Sequence, residues 1–199
     1  SRRIGLDADN RPITVLGGQC QSGSYVLRIK VHGHVEIAFG GFKKGRRIPV
    51  PAGEYSYVGS ALGIRGAMSL GPRLVRHASR TGRKSPHEIR AAMIQTFKAI
   101  GLGHGDLIPK HGKTLQWNVD HLLNHEAVEL AAIIAIRSPE RLEPTWGRFL
   151  EEDPRTCIVE KGLGANDLPG DTHLLRVEAD EGWWTRLPQR LFAISTRNT

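Results

Sequence analysis

The sequence is poor in cysteine and has no long apolar run. Its 199 residues include two cysteines, Cys20 and Cys157, which form neither a CxxC pair nor a disulfide framework. No stretch approaches the roughly 18 consecutive apolar residues of a membrane-spanning helix. The beginning of the chain, SRRIGLDADNRPITVLGG, lacks the apolar segment of a signal peptide. We therefore expect a reducing, cytoplasmic setting and no membrane partner.

A phosphate-binding loop and a domain boundary are also lacking. The stretch GKT from Gly112 ends like a P-loop, but Leu107 stands where that loop needs glycine. We therefore expect no nucleotide cofactor. No internal repeat or shift in composition divides the chain, and 39% hydrophobic residues suffice for one core of ordinary size. The sequence predicts a polar, loosely ordered leader over residues 1–22 and a single domain over residues 23–199.

Basic residues are in excess, and they are clustered. The formal net charge is +8, which favours a polyanionic partner, and nucleic acid is the commonest one. A solvated basic surface without a partner is the alternative. Clustering on two short segments favours nucleic acid over that alternative. The residues that we expect to contact it are Lys43, Lys44, Arg46 and Arg47 in the first segment, and Arg76, Arg80, Arg83 and Lys84 in the second.

The hydrophobic pattern changes from strands to helices along the chain. In GSYVLRIKV, from Gly23, alternate residues are apolar, which predicts a half-buried strand, and VEIAF is expected to return as its hairpin partner. YSYVGSA, from Tyr55, predicts a further strand. Helical spacing begins in SLGPRLVRHASR and continues in a helix with Ser85 as N-cap, within an inserted segment near residues 85–113. The whole order predicts an α/β (α+β) fold, with a small mixed, partly antiparallel sheet flanked by helices.

Six short motifs follow one another between Gly23 and Val177. They are GSYVL, YVGSALG, RLVRH, WNVDHLL, ERLEP and GANDLPGDTHLL. The first two lie on predicted strands, and RLVRH lies on the helix that follows them. This arrangement resembles the GIY-YIG nuclease superfamily, in which two short motifs on neighbouring strands precede a helix with an essential arginine. The order of all six motifs is similar to one branch of that superfamily, the domain of unknown function 123.

The resemblance implies a metal-dependent endonuclease that hydrolyses phosphodiester bonds of DNA, branched or damaged DNA included. Tyr25 and Tyr57 are then expected to position the attacking water, and Arg73 to clamp the scissile phosphate through its fork of donors. The water's proton goes to one of the tyrosines or to His77. A tyrosine needs neighbouring cations to act as a base, whereas histidine titrates near neutral pH. Glu143 is expected to hold one Mg²⁺ or Mn²⁺ ion, with Glu140, Glu151 and Glu152 as the competing glutamates. The supporting residues are Asp120, which is also a reserve metal ligand, Asn166 and His173.

The sequence departs from the family pattern at two of these motifs. Asn118 stands where the family has histidine, and Pro144 follows Glu143 where the family has cysteine. These departures motivate the alternative of a catalytically inert nucleic-acid-binding module on the same scaffold. A protein-interaction domain with incidental charge is a third reading, and strand tyrosines are most often ordinary sheet residues. We favour the enzyme, because a site that has lost catalysis has no physical need to keep both Arg73 and His77.

Overall fold

The computed structural model describes residues 11–105, 107–164 and 172–196. The secondary structure follows the predicted mixture of strands and helices. The strands are β1 (Ile13–Gly17), β2 (Gly23–Val31), β3 (Val35–Ala38), β4 (Arg47–Val50), β5 (Gly53–Ala61), β6 (Val128–Arg137), β7 (Thr156–Ile158) and β8 (Leu174–Val177). The helices are α1 (Leu70–His77), α2 (Ile89–Ala99), α3 (Asn118–Leu123), α4 (Glu143–Glu151) and α5 (Glu181–Ser195).

The main sheet has six strands in the order β1-β6-β2-β5-β8-β7. β1 runs parallel to β6, and the other neighbours are antiparallel. The predicted fold class, a mixed and partly antiparallel sheet flanked by helices, is therefore confirmed. At its centre, β2 pairs with β5 along its whole length, so that Tyr25 stands opposite Gly59 and Leu27 opposite Tyr57. This register brings the first two sequence motifs side by side.

Two local expectations about strands were wrong. β3 does not return along β2, because β5 and β6 occupy both edges of β2. It pairs instead with β4 in a separate two-stranded hairpin. The leader expected to be loosely ordered contains β1, whose backbone pairs with β6 from Ile13 to Gly17. The alternating apolar residues of ITVLG were the signal for that strand.

The helix expected to begin after Ser85 begins later, at Ile89 with Glu88 as its N-cap. The Ser85 carbonyl accepts a hydrogen bond from Arg80, and the His87 N–H donates to the Ala78 carbonyl. These contacts hold residues 85–87 as a connection between α1 and α2. α2 ends just before Gly101, whose positive φ of 65° is typical of the glycine that follows a helix.

Two apolar cores lie on the two faces of the sheet. The larger one joins Tyr25, Leu27 and Tyr57 to α1, α2, α3 and the β3–β4 hairpin. The smaller one joins Val26 and Val58 to α4 and α5 on the opposite face. β2 was expected to be half-buried, but all of its residues except Lys30 are buried, because a core covers each face of the sheet. Successive side chains of β2 and β5 still point to opposite faces. This alternation directs the tyrosines toward α1 and α3, where the remaining motif residues lie.

Candidate active site

The glycine of the second motif makes room for the tyrosine of the first. Tyr25 and Gly59 are partners in the β2–β5 register. A Cβ atom on Gly59 would lie 2.6 Å from both Cζ and Oη of Tyr25, far inside van der Waals contact. The Tyr25 ring therefore lies directly over the backbone of β5, and no residue except glycine leaves that space. This packing is a physical reason for a tyrosine and a glycine to occur together in motifs on neighbouring strands.

Tyr25, His77 and Asp120 form a buried chain of hydrogen bonds. The Tyr25 hydroxyl lies 2.8 Å from Nε2 of His77, and Nδ1 of His77 lies 3.0 Å from Oδ1 of Asp120. Oδ2 of Asp120 accepts from the backbone N–H of Trp117, which fixes the carboxylate at the start of α3. With Asp120 ionised, Nδ1 of His77 carries the proton and Nε2 accepts from the Tyr25 hydroxyl. The arrangement can therefore pass a proton from Tyr25 to His77.

Burial and the neighbouring charges together set the protonation of these three groups. It raises the pKa of Tyr25 above its ordinary value, although Arg73 acts in the opposite direction. It lowers the pKa of His77, against the influence of Asp120. Burial alone would raise the pKa of Asp120, but His77 and Lys113 outweigh it and hold that pKa below its usual range. Near neutral pH the chain is thus a neutral tyrosine, a neutral histidine and a carboxylate, so His77 is available as the proton acceptor.

Lys113 lies behind the carboxylate. Its Nζ is 3.0 Å from Oδ1 of Asp120, the same oxygen that faces His77, and both side chains are fully buried. Burial lowers the pKa of Lys113, and Asp120 opposes that effect. The Lys113 cation also lowers the pKa of His77. It shares the negative charge of Asp120 and so helps to keep His77 neutral.

Arg73 is a nearly buried cation beside Trp117. Its side chain donates to the carbonyls of Ser60 and Ala67, at 3.2 Å and 3.4 Å. Cζ of its guanidinium lies 3.7 Å from the centroid of the Trp117 ring. Within residues 11–105, 107–164 and 172–196, no carboxylate oxygen lies within ion-pair distance of it. A buried charge is costly unless it is compensated, so this site favours an anionic ligand.

A second arginine faces the same indole. Cζ of Arg76 lies 5.1 Å from the Trp117 ring centroid, and its guanidinium donates to Thr114. No ion pair of Arg76 occurs in the described part of the chain. The Trp117 ring therefore contacts both guanidinium groups, and such cation–π contacts stabilise cations.

Glu143 reaches the site from the other face of the sheet. It is the first residue of α4, and its Oε2 accepts a 2.6 Å hydrogen bond from the Ser60 hydroxyl. Nδ1 of His173 lies 3.0 Å from its Oε1, and Arg141 lies 3.7 Å from Oε2. Ser60 links the two halves of the site, because its carbonyl binds Arg73 while its hydroxyl binds Glu143.

The buried carboxylate of Glu143 suits one weakly held cation. Serine and histidine contacts leave acceptor positions on its two oxygens. In the described ranges, no group of three or more histidine, cysteine or acidic side chains could hold a metal by itself. Mg²⁺ typically takes one or two protein carboxylates and completes its shell with water and substrate phosphate. The residues present fit a metal of that kind, completed by substrate.

Tyr57 lies at the edge of the same cluster. Its ring centroid is 6.5 Å from that of His77, in an edge-to-face arrangement. Burial raises its pKa well above the ordinary value, and the negative charges nearby act in the same direction. Tyr57 therefore stays protonated. The structure brings together Tyr25, Tyr57, Arg73, His77, Asp120, Glu143 and His173, whereas Asn166 lies outside the described residues.

The basic residues expected to contact nucleic acid have different surroundings. In the first segment, Lys43 and Arg46 form ion pairs with Glu160, and Lys44 and Arg47 are exposed. In the second, Arg80 donates to the carbonyls of Leu123, Ser85 and Val128, so its donors hold α1 against α3 and β6. Lys84 donates to the Asn124 carbonyl, and Arg83 is exposed.

Sequence reasoning missed three residues of the site. Lys113 belongs to the GKT stretch, whose interpretation as a P-loop had been rejected, and no pattern linked it to Asp120. Trp117 and Ser60 lie inside matched motifs but were given no role. Asn118, where the family has histidine, donates to the Gly164 carbonyl at 2.8 Å. Asn118 is the first residue of α3, and among the described residues no hydrogen bond joins its side chain to Tyr25, His77 or Asp120.

None of the helices in the described part of the chain has the length and apolarity needed to cross a bilayer.

Comparison with curated proteins and with solved structures finds no match. Comparison with family models finds one match, over residues 24–192, which include every described residue of the site. The chain belongs to the family described as Domain of unknown function DUF123.

Proposed function

We propose that this protein is a metal-dependent endonuclease of the GIY-YIG kind, which hydrolyses phosphodiester bonds in DNA. The observation that carries the proposal is Arg73, a nearly buried cation next to a proton-transfer chain and a buried carboxylate. Phosphodiester hydrolysis needs a positive group on the phosphate, a proton acceptor for the water, and charge stabilisation at the leaving oxygen. Arg73 provides the first and the proton-transfer chain the second, and the carboxylate would provide the third by holding a metal ion. Tyr25 and Tyr57 on paired strands, followed by Arg73 on the next helix, support the relation to GIY-YIG nucleases.

Tyr25 acts in this mechanism through His77. The attacking water gives its proton to the Tyr25 oxygen as the Tyr25 hydroxyl proton moves to Nε2 of His77. The imidazolium that forms is stabilised by Asp120. A tyrosine that acts alone as a base must first lose its own proton. This route avoids that requirement, because Tyr25 does not need to be ionised before the reaction starts. Tyr57, which stays protonated, orients the water by a hydrogen bond.

Arg73 and Glu143 provide the electrostatic stabilisation of the transition state. The planar guanidinium, held against Trp117, binds two oxygens of the scissile phosphate and stabilises the charge that grows on them. Glu143, positioned by Ser60 and His173, would hold the divalent cation. When bound, Mg²⁺ or Mn²⁺ supplies positive charge at the leaving oxygen.

Cleavage assays on DNA test the proposal. Wild-type protein is incubated with supercoiled plasmid, single-stranded and branched DNA in Mg²⁺ or Mn²⁺, beside Arg73→Ala and Glu143→Ala. We expect cleavage by the wild type and a loss of about 10²- to 10³-fold in each variant. Glu36→Ala is the matched control, since Glu36 is an exposed carboxylate on β3. Cleavage that survives both site substitutions would refute the mechanism.

The same assay separates the enzyme from the inert binding module. A module that binds nucleic acid without cutting it shows no cleavage in either metal. Its affinity falls steeply as salt rises, because counterions return to the phosphates. We also propose a reducing cytoplasmic setting, since neither Cys20 nor Cys157 is in a disulfide.

A further inference from the structure

The loop between β5 and α1 exposes apolar side chains beside the candidate site. Ile64 is 69% exposed and Met68 is 58% exposed, the two highest values among the large apolar residues of the described ranges. Single exposed apolar residues are common and need no explanation. Here both lie within five consecutive exposed residues, Ile64 to Met68, which connect the strand of Tyr57 to the helix of Arg73.

The loop is held in one conformation. Its ends are joined by a hydrogen bond of 3.0 Å from the Gly63 N–H to the Met68 carbonyl. The hydroxyl and the N–H of Ser69 both bind the Gly66 carbonyl. Gly66 has a φ of 62°, a conformation that favours glycine. The exposed side chains are therefore presented on a closed turn and need little further ordering to bind.

Arg73 connects this turn to the candidate active site. Its Nε donates to the Ala67 carbonyl, and its Nη2 lies 3.7 Å from Sδ of Met68. Arg65, on the same turn, is exposed and has no ion pair in the described part of the chain. The turn thus carries apolar side chains beside Arg65 and Arg73, two cations for which the described residues supply no carboxylate partner. A hydrophobic protein partner alone gives no reason for those cations, whereas DNA offers phosphates to the arginines and stacked bases to the tip.

We propose that Ile64 and Met68 form a wedge that enters a DNA duplex at a step where the bases are mispaired or unstacked. Proteins that insert isoleucine or methionine between base steps must first unstack them. That cost is least where pairing is already disturbed. The proposal rests on the proposed nuclease function and narrows its substrate to duplexes with a local distortion near the cleaved phosphate.

Fluorescence of 2-aminopurine tests the wedge without any cleavage. The probe base is placed beside a mismatch in one duplex and at the same position of a fully paired duplex. Binding is measured by anisotropy in the presence of EDTA, and unstacking by the rise in 2-aminopurine fluorescence. The test variant is Ile64→Ser with Met68→Ser, both at exposed positions. The matched control is Ile158→Ser, because Ile158 is 45% exposed on the edge strand β7.

We expect the wild type and the control to raise the fluorescence and to prefer the mismatched duplex by about tenfold. The double variant should lose both the fluorescence rise and the preference. A double variant that still unstacks the base and keeps the preference overturns the wedge, even if the wild type cuts DNA. Unstacking by the wild type without cleavage in any metal supports the wedge and overturns the nuclease. A wild type that binds neither duplex overturns the wedge, and the cleavage assay in Mg²⁺ or Mn²⁺ then decides the nuclease separately.

Discussion

A single added methyl group provides a stringent test of the site geometry. In Gly59→Ala, the new Cβ lies 2.6 Å from Cζ and Oη of Tyr25, whereas ordinary contacts begin near 3.4 Å. The ring must therefore move by about 0.8 Å. A shift away from His77 lengthens the 2.8 Å hydrogen bond to about 3.6 Å, which is no longer a hydrogen bond. A shift toward His77 forces the two side chains to overlap.

We expect the rate of DNA cleavage by Gly59→Ala to fall by about 10²-fold, as for a catalytic group misplaced by about 1 Å. Overpacking should also lower the free energy of unfolding by about 1–3 kcal/mol. The assay is the single-turnover cleavage rate at a temperature where circular dichroism shows a folded protein. Gly33→Ala is the control, since a Cβ on Gly33 meets nothing within 4 Å.

A double-mutant cycle shows whether the loss acts through Tyr25. If it does, Tyr25→Phe alone should remove most of the rate, and adding Gly59→Ala should lower it little further. A folded Gly59→Ala that cleaves at the wild-type rate, while Tyr25→Phe is inactive, would refute the packing argument. Equal and additive losses would show that the methyl group acts elsewhere.

Three further predictions concern other residues. His87 is buried, and its pKa is lowered to about 3, below the pKa of histidine in the unfolded chain. The free energy of unfolding should therefore decline from pH ~6.5 toward pH ~3, by up to about 1.4 kcal/mol per pH unit. Denaturant unfolding of His87→Gln should lack that decline. Trp117→Leu removes the ring under Arg73, which should weaken DNA binding about tenfold by anisotropy, and unchanged affinity would contradict the stacking role. Lys113→Met removes a cation that lowers the pKa of His77, so the acid limb of the pH–rate profile should move to higher pH, and an unmoved limb would count against its role.

The fold could be predicted from the sequence where the pattern is local. The alternation in GSYVLRIKV and the helical spacing around Arg73 gave the right elements, because burial on one face repeats every two or every 3.6 residues. The partner of each strand could not be predicted in the same way. β3 follows β2 in sequence and was expected to pair with it, yet β5 and β6 occupy both edges of β2. Pairing between distant segments leaves no local pattern.

The residues of the candidate site could likewise be predicted only where they lie in local motifs. Tyr25, Tyr57, Arg73 and His77 were found because they lie in ordered motifs, and the structure brings them together. The role of Asp120 as the partner of His77 was not foreseen, since the two are 43 residues apart and meet through packing of α1 against α3. Lys113 carries no local signal, because a lysine in a glycine-containing loop usually faces solvent. Its burial depends on where the long connection to α3 places it.

The central claim is that Arg73 binds the phosphate which this protein cleaves. Its most direct test is the single-turnover rate of DNA cleavage in Mg²⁺ by Arg73→Ala and Arg73→Lys, with Arg186→Ala as an exposed-arginine control on α5. We expect a loss of about 10²- to 10³-fold for alanine, a smaller loss for lysine, which keeps the charge without the planar fork, and none for the control. Cleavage by folded Arg73→Ala at the wild-type rate would contradict the claim.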